Sequence, residues 1–205
     1  KDLHGLMEVE PEVAEIVEGA VKSFCEKMQW NFEPLPNSVD TSHVRSIITT
    51  TRAGLLHFLH RDKLKYESQL SPNLIYNAKE GHAQHTVDWM VQEQARTRLF
   101  RDFSNLLGDA RAVCLPTCAV PPFSVDIGHP TTINGVPQKT YFDWFLLTYA
   151  ISITSLPVIS VPCGITPSGL PVGMQIVCGH RRECDVLRLA RLFEKVQFQS
   201  PFSFD

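Results

Sequence analysis

The stretch SLPVISVPCGITPSGLPVGMQIV, Ser155 to Val177, constrains the fold more than any other part of the chain. Val158 to Cys163 and Val172 to Val177 are apolar runs rich in β-branched residues, and Pro167-Ser168-Gly169 lies between them. Short runs of that kind bounded by Pro and Gly read as two strands of a hairpin. Strands this apolar need a cover, so the flanking sequence has to supply helices with one apolar face.

It supplies several. Val13, Ile16, Val17, Ala20, Val21, Phe24, Cys25 and Met28 recur at helical spacing after Glu10-Pro11. Pro11 suits the first helical position, and the acidic residues Glu10, Glu12 and Glu15 suit its positive end. NFEPLP then reads as a short strand stopped by prolines. A second helix follows Thr41 or Ser42, with Val44, Ile48, Leu55 and Leu59 on one face. YESQLSPNLIYNAKEG is punctuated and irregular, with room for a short helix. A long helix runs from Thr86 to Leu107, with Val87, Met90, Val91, Ala95, Leu99, Phe103 and Leu106 on its face and Gly108 as its stop.

Ala112 to Leu115 reads as a buried strand that opens at Pro116-Thr117. SVDIGHPTTINGVPQKT is loop, with Asn134-Gly135 as a turn signal. Tyr141 to Ile153 reads as a buried helix, and Glu183 to Val196 as the last one. The sum is an α/β fold with a mixed central sheet flanked by helices. There is no internal repeat.

Composition excludes several functional classes. With 205 residues, 43% hydrophobic and 20% charged, the chain is ordinary for a globular domain or a large piece of one. A net charge of -3 gives no electrostatic case for nucleic acid or an anionic membrane. No apolar run reaches the roughly 18 residues of a membrane span. KDLHGLMEVEPEV has no apolar signal core. Its opening on Lys1 rather than Met fits a segment of something longer. Six cysteines permit disulfides, but a domain of this size does not need them; a reducing, cytoplasmic setting with thiols packed as small hydrophobes is expected.

Most catalytic constellations are missing. There is no G-x-S-x-G, G-x-G-x-x-G, P-loop or H-E-x-x-H, and no two glycines are adjacent. No cofactor or metal is expected. His57 with His60, and His82 with His85, sit at i, i+3, but zinc wants three or four ligands and no Cys or acidic cluster accompanies them. Cys114 and Cys118 straddle Pro116 and read as buried strand thiols. A catalytic Cys would need His129 or His180 beside it. Arg96, Arg98 and Arg101 read as a solvated face, or as partners of Glu93 and Asp102. On its residues alone, the chain is a buried α/β core without a catalytic group.

LPVISVPCG…SGLPVGMQIV nevertheless resembles the C-terminal signature of the amidase signature family, GLPAISVPCG…GLPVGLQLIG. AVCLPTCAVPPF is similar to that family's D-x-L-L-x-P-T strand end. VEPEVAEIVEGAVKSFCEK is similar to its V-D-P-E-V helix, and GHRRECDVLRLARLFEK to its last helix. The resemblance runs from about Glu8 to Lys195 and implies an amidase-like C-terminal portion of an α/β fold.

It also implies an enzyme that hydrolyses amides through a serine nucleophile, with a second serine after a cis peptide and a lysine. Those groups lie in the family's N-terminal half, in a Gly- and Ser-rich loop that these 205 residues do not contain. Residues 1–205 are therefore expected to be the C-terminal half of one amidase domain, inactive alone, with the N-terminal half and a small-molecule amide as partners. Dimerisation is a further expectation, because a lone half exposes apolar surface. The alternative is a catalytically dead amidase-like binding or assembly module.

A gap-free count back from Leu156-Pro157 places Ser152 where the family's Asn stands and Ser155 where its Gly stands. In glutamine-using members an Asp eleven residues before that Leu reads the substrate's amino group. Phe145 stands there in this chain, with Asp143 two positions off register. An aromatic wall favours an apolar acyl or aryl group. The resemblance thus points to a general or aryl amidase over a glutamyl-tRNA amidotransferase. The expected substrate-binding residues are Thr117, Cys118, Phe145, Tyr149 and Ser152, with no catalytic residue among them.

Overall fold

The hairpin expected from the sequence supplies two strands of a three-stranded antiparallel sheet. In the computed structural model, which describes residues 2–36 and 38–196, strand β4 (Val158–Ile165) pairs antiparallel with β5 (Pro171–Val177). Strand β1 (Val113–Pro116) pairs antiparallel with the other edge of β5, giving the order β1-β5-β4. Register shifts between Pro162 and Gly164, a bulge that leaves Cys163 buried and bonded to the Val172 carbonyl. Gly164 follows because a Cβ there would lie 2.5 Å from the Ile16 side chain.

That contact seats helix α1 (Pro11–Met28) on the sheet. Its periodic face is buried at Val13, Val17, Ala20 and Phe24. Helix α6 (Glu183–Val196) packs beside it, and Phe193 meets Phe24 edge to face at 5.3 Å. Val161, Met174, Ile176 and Phe193 join these residues in one core.

A second group of helices packs chiefly on itself, while Val44, Ile48, Leu99 and Phe103 join the same core as the strands. Helix α2 (Val44–His60) packs against α3 (Pro72–His82) and α4 (Thr86–Asp109). Ser71 caps α3 by accepting from the Leu74 N–H, and Pro72 follows at the first turn. His85 and Asp88 form a capping box at the start of α4. The approach of α3 to α2 depends on Gly81, where a Cβ would sit 2.1 Å from the Ala53 carbonyl oxygen.

Several expectations need correction. NFEPLP is not a strand; its prolines remove ladder donors, and no strand among the described residues pairs with it. The segment Arg61–Gln69 is a 3-10 run, and the short helix that the irregular stretch had room for is α3. Helix α4 continues through Gly108 to Asp109. The loop after Ser124 contains a two-residue hairpin, β2 (Thr132–Ile133) with β3 (Val136–Pro137). Asn134 and Gly135 both take positive φ at its turn, as a type I′ hairpin demands. Tyr141 to Ile153 opens with a 3-10 turn at Asp143–Phe145 before α5 (Leu146–Ser152).

The apolar stripes of α2 and α4 are buried at one end only. Val44, Ile48, Ala95, Leu99 and Phe103 are buried, but Leu55, Leu59, Val87, Met90 and Val91 are exposed. Among the described residues no helix is long and apolar enough to cross a membrane.

Candidate functional site

Strand β1 ends at Pro116, and three hydrogen bonds fix the chain as it leaves the sheet. The Thr117 N–H donates to the Gly173 carbonyl at 2.9 Å. The Gln175 side-chain amide donates to the Pro116 carbonyl at 3.0 Å. Thr148 of α5 donates its hydroxyl to the Thr117 carbonyl at 2.6 Å. The Ala119 N–H then reaches the Trp144 carbonyl at 2.9 Å. The strand end is thereby stitched to the aromatic segment that leads into α5.

These bonds bring four of the five expected site residues into one neighbourhood: Thr117, Cys118, Phe145 and Tyr149. The Thr117 and Ser160 hydroxyls lie 2.7 Å apart, and Gly173 leaves them room, since a Cβ there would lie 3.1 Å from Thr117 Oγ1. Cys118 is half-buried, and burial raises its thiol pKa, so it carries no thiolate at neutral pH. The Phe145 ring stands 5.0 Å from Tyr149 and 4.6 Å from Trp144, and Trp144 meets Phe123 at 5.2 Å. Ser152 shares α5 with Tyr149 alone of these residues, and its hydroxyl is committed to the Thr148 carbonyl at 2.9 Å.

The tyrosine end of this aromatic cluster is polar, which sequence reasoning missed. Arg52 of α2 donates to the Tyr149 hydroxyl and to the Tyr141 hydroxyl, each at 3.0 Å. Asn77 of α3 also donates to Tyr141, at 3.0 Å. Asp143, the carboxylate two positions off register, is buried and occupied by structure. It pairs with Arg45 and accepts from the Lys139 N–H, the Thr140 N–H and the Thr140 hydroxyl. Burial pushes its carboxyl up, but the bonds from Thr140 and Arg45 outweigh this and hold it below the ordinary value.

The other candidate groups take structural roles. Burial pushes the Cys114 and Cys163 thiols up to about 12, and all six cysteines are free. His57 does not pair with His60 but stands 4.9 Å from His82, with its Nδ1 at 3.0 Å from the Ala78 carbonyl oxygen. His85 belongs to the α4 cap. Among the described residues no group of three or more His, Cys, Asp or Glu could hold a metal ion. Arg96 pairs with Glu93, and Arg98 bonds Gln94, whereas Asp102 accepts from the Asp40 N–H rather than from an arginine.

Comparison with known proteins gives this chain a family. A family model described as Amidase matches residues 8–187. A glutamyl-tRNA(Gln) amidotransferase chain of Syntrophus aciditrophicus is 37% identical over 102 residues, which is 50% of this chain and 20% of that protein. An acylamidase of Rhodococcus erythropolis is 31% identical over 140 residues, 66% of this chain and 29% of that one. The structure of a bacterial aryl acylamidase of the amidase signature family superposes with a TM-score of 0.79 at 19% identity, covering 97% of this chain and 42% of that chain. The chain thus spans less than half the length of these relatives. With most of its length matched by the family model, the chain belongs to the amidase signature family.

Proposed function

We propose that this chain is the C-terminal part of an amidohydrolase that cleaves carboxylic amides to an acid and an amine or ammonia. The reaction runs through a serine acyl-enzyme, and the Ser-cisSer-Lys triad belongs to an N-terminal part outside residues 1–205. The observation that carries this reading is the pairing of a family match over residues 8–187 with coverage of only 42% of a solved relative. Without a nucleophile no acyl-enzyme forms, so residues 1–205 alone are inactive. They supply core sheet and one wall of the acyl pocket, built from Thr117, Cys118, Phe145, Tyr149 and Ser152.

The Phe145–Tyr149 contact, backed by Trp144, supports an apolar acyl or aryl group as substrate. Asp143 is committed to Arg45 and Thr140 and is not free to read an ammonium. The amidotransferase relative, 37% identical over half the chain, favours a second reading in which glutamine is the amide donor.

The test is turnover of benzamide and of glutamine by the purified 205-residue chain. Neither should be hydrolysed, and measurable turnover of either would overturn the claim that the triad lies elsewhere. The chain joined to an N-terminal part bearing the triad should prefer benzamide. A preference for glutamine would replace the aryl reading with the amidotransferase one.

A further inference from the structure

Two arginines on α2 lie seven residues apart and meet different surroundings. Arg45 reaches the buried carboxylate of Asp143. Arg52 has no carboxylate partner among the described residues; its two bonds go to phenols. A guanidinium only donates, so Tyr141 and Tyr149 both serve it as acceptors. Tyr141 accepts a second time from Asn77. The protons of both phenols therefore find no acceptor in this set of bonds. Arg52 Nε is buried and also without a partner.

The cluster is thus cationic, rich in donors and short of acceptors. The buried Arg52 Nε is an unmatched donor, and leaving it so costs free energy that an anionic acceptor recovers. The cluster is also built in place: Gly81 allows α3 to approach α2, and α3 carries Asn77 toward Arg52 and Tyr141. Tyr149 belongs at once to this cluster and to the aromatic wall with Phe145.

We propose that Arg52, with Tyr141, Tyr149 and Asn77, forms a carboxylate-binding subsite at the polar end of the aromatic wall, and that its ligand is an aryl carboxylate. This rests on the reading of Phe145 and Tyr149 as a pocket wall. A carboxylate matches the planar guanidinium fork and needs one positive charge. A phosphate dianion would ask for more cations than the single one present here. Amide hydrolysis of an aryl amide releases an acid of this chemistry, so the subsite would hold the acidic product or a substrate that already carries a carboxylate.

The test is calorimetric titration of the 205-residue chain with benzoate and with the neutral isostere benzamide. Benzoate should bind saturably and more tightly. Arg52→Met should weaken benzoate by about 10- to 100-fold, as expected for a lost charge-assisted hydrogen bond, and leave benzamide within about twofold. Arg52→Lys should restore part of the affinity. If Arg52→Met loses its helical circular dichroism, Tyr149→Phe serves instead; it keeps the ring, deletes one donor and should still weaken benzoate selectively.

Equal binding of both probes, insensitive to Arg52, would overturn the subsite and leave the aryl wall standing. Binding of neither probe would overturn both. Benzoate affinity that disappears when an N-terminal part is joined would also overturn the subsite, because a protein carboxylate would then be the occupant.

Discussion

The sheet with α1 and α6 and the layer of α2, α3 and α4 were built from similar sequence patterns but have different fates. In the first, the periodic residues of α1 and α6 end buried against strands of the same chain, as Val13, Val17, Leu189 and Phe193 do. In the second, the stripe of α4 is buried at Leu99 and Phe103 and then runs out into solvent at Val87 and Met90, the latter 66% exposed. Helical periodicity declares that a face is apolar. It does not declare that the same chain covers it.

The largest expected effect lies in the first region. Phe193 is fully buried and meets Phe24 edge to face. Phe193→Ala should cost about 3–5 kcal/mol by lost burial and the cavity left behind. Urea unfolding followed by circular dichroism would read it. A loss below about 1 kcal/mol would mean that the α1–α6 packing is not what holds the sheet, and the contrast between the regions would collapse.

An intermediate effect sits where the two regions join, at the Arg45–Asp143 pair between α2 and the turn before α5. The folded carboxyl of Asp143 titrates below its unfolded value of about 3.9. A depressed folded value contributes stability above the unfolded pKa, and that stability is lost as pH falls through the folded value. Asp143→Asn should therefore cost about 2 kcal/mol at pH 7, since it leaves Arg45 without its charge partner. The difference from the parent should shrink as pH falls below about 4. Paired urea titrations at pH 7 and pH 3 would check it. An equal gap at both values would mean that the ionised carboxylate is not the source.

The same contrast sets how much of the molecule was legible. The Val158–Val177 hairpin, α1 and α6 were readable because each is specified by residues close in sequence: a period, a first-turn proline, a Pro-Ser-Gly turn. The contact between Phe145 and Tyr149 was within reach of the sequence, because the two rings share one short segment. Arg52 was not. Its bonds reach phenols 97 and 89 residues away, and TTTRAG has no local pattern that announces them. NFEPLP failed for a related reason: a strand is defined by its partner, and local propensity does not supply one. Asp143 was visible as a carboxylate, but its service to Thr140 and Arg45 depends on the turn that the structure reveals.

The smallest expected effect sharpens the comparison from its other side. Leu59 of α2 and Met90 of α4 are more than half exposed, so exchanging them for polar residues removes little burial. Glutamine keeps helix propensity close to that of leucine and methionine, which isolates the solvent-exposure term. Leu59→Gln and Met90→Gln should therefore each change stability by no more than about 0.5 kcal/mol. They should also lower the tendency of the chain to associate, because a contiguous apolar face drives contact between molecules. Urea unfolding combined with sedimentation velocity at two protein concentrations reads both quantities. A loss of about 2 kcal/mol or more that depends on concentration would show that the exposed ends of α2 and α4 are buried in an assembly. The two regions would then differ only in which molecule provides the cover.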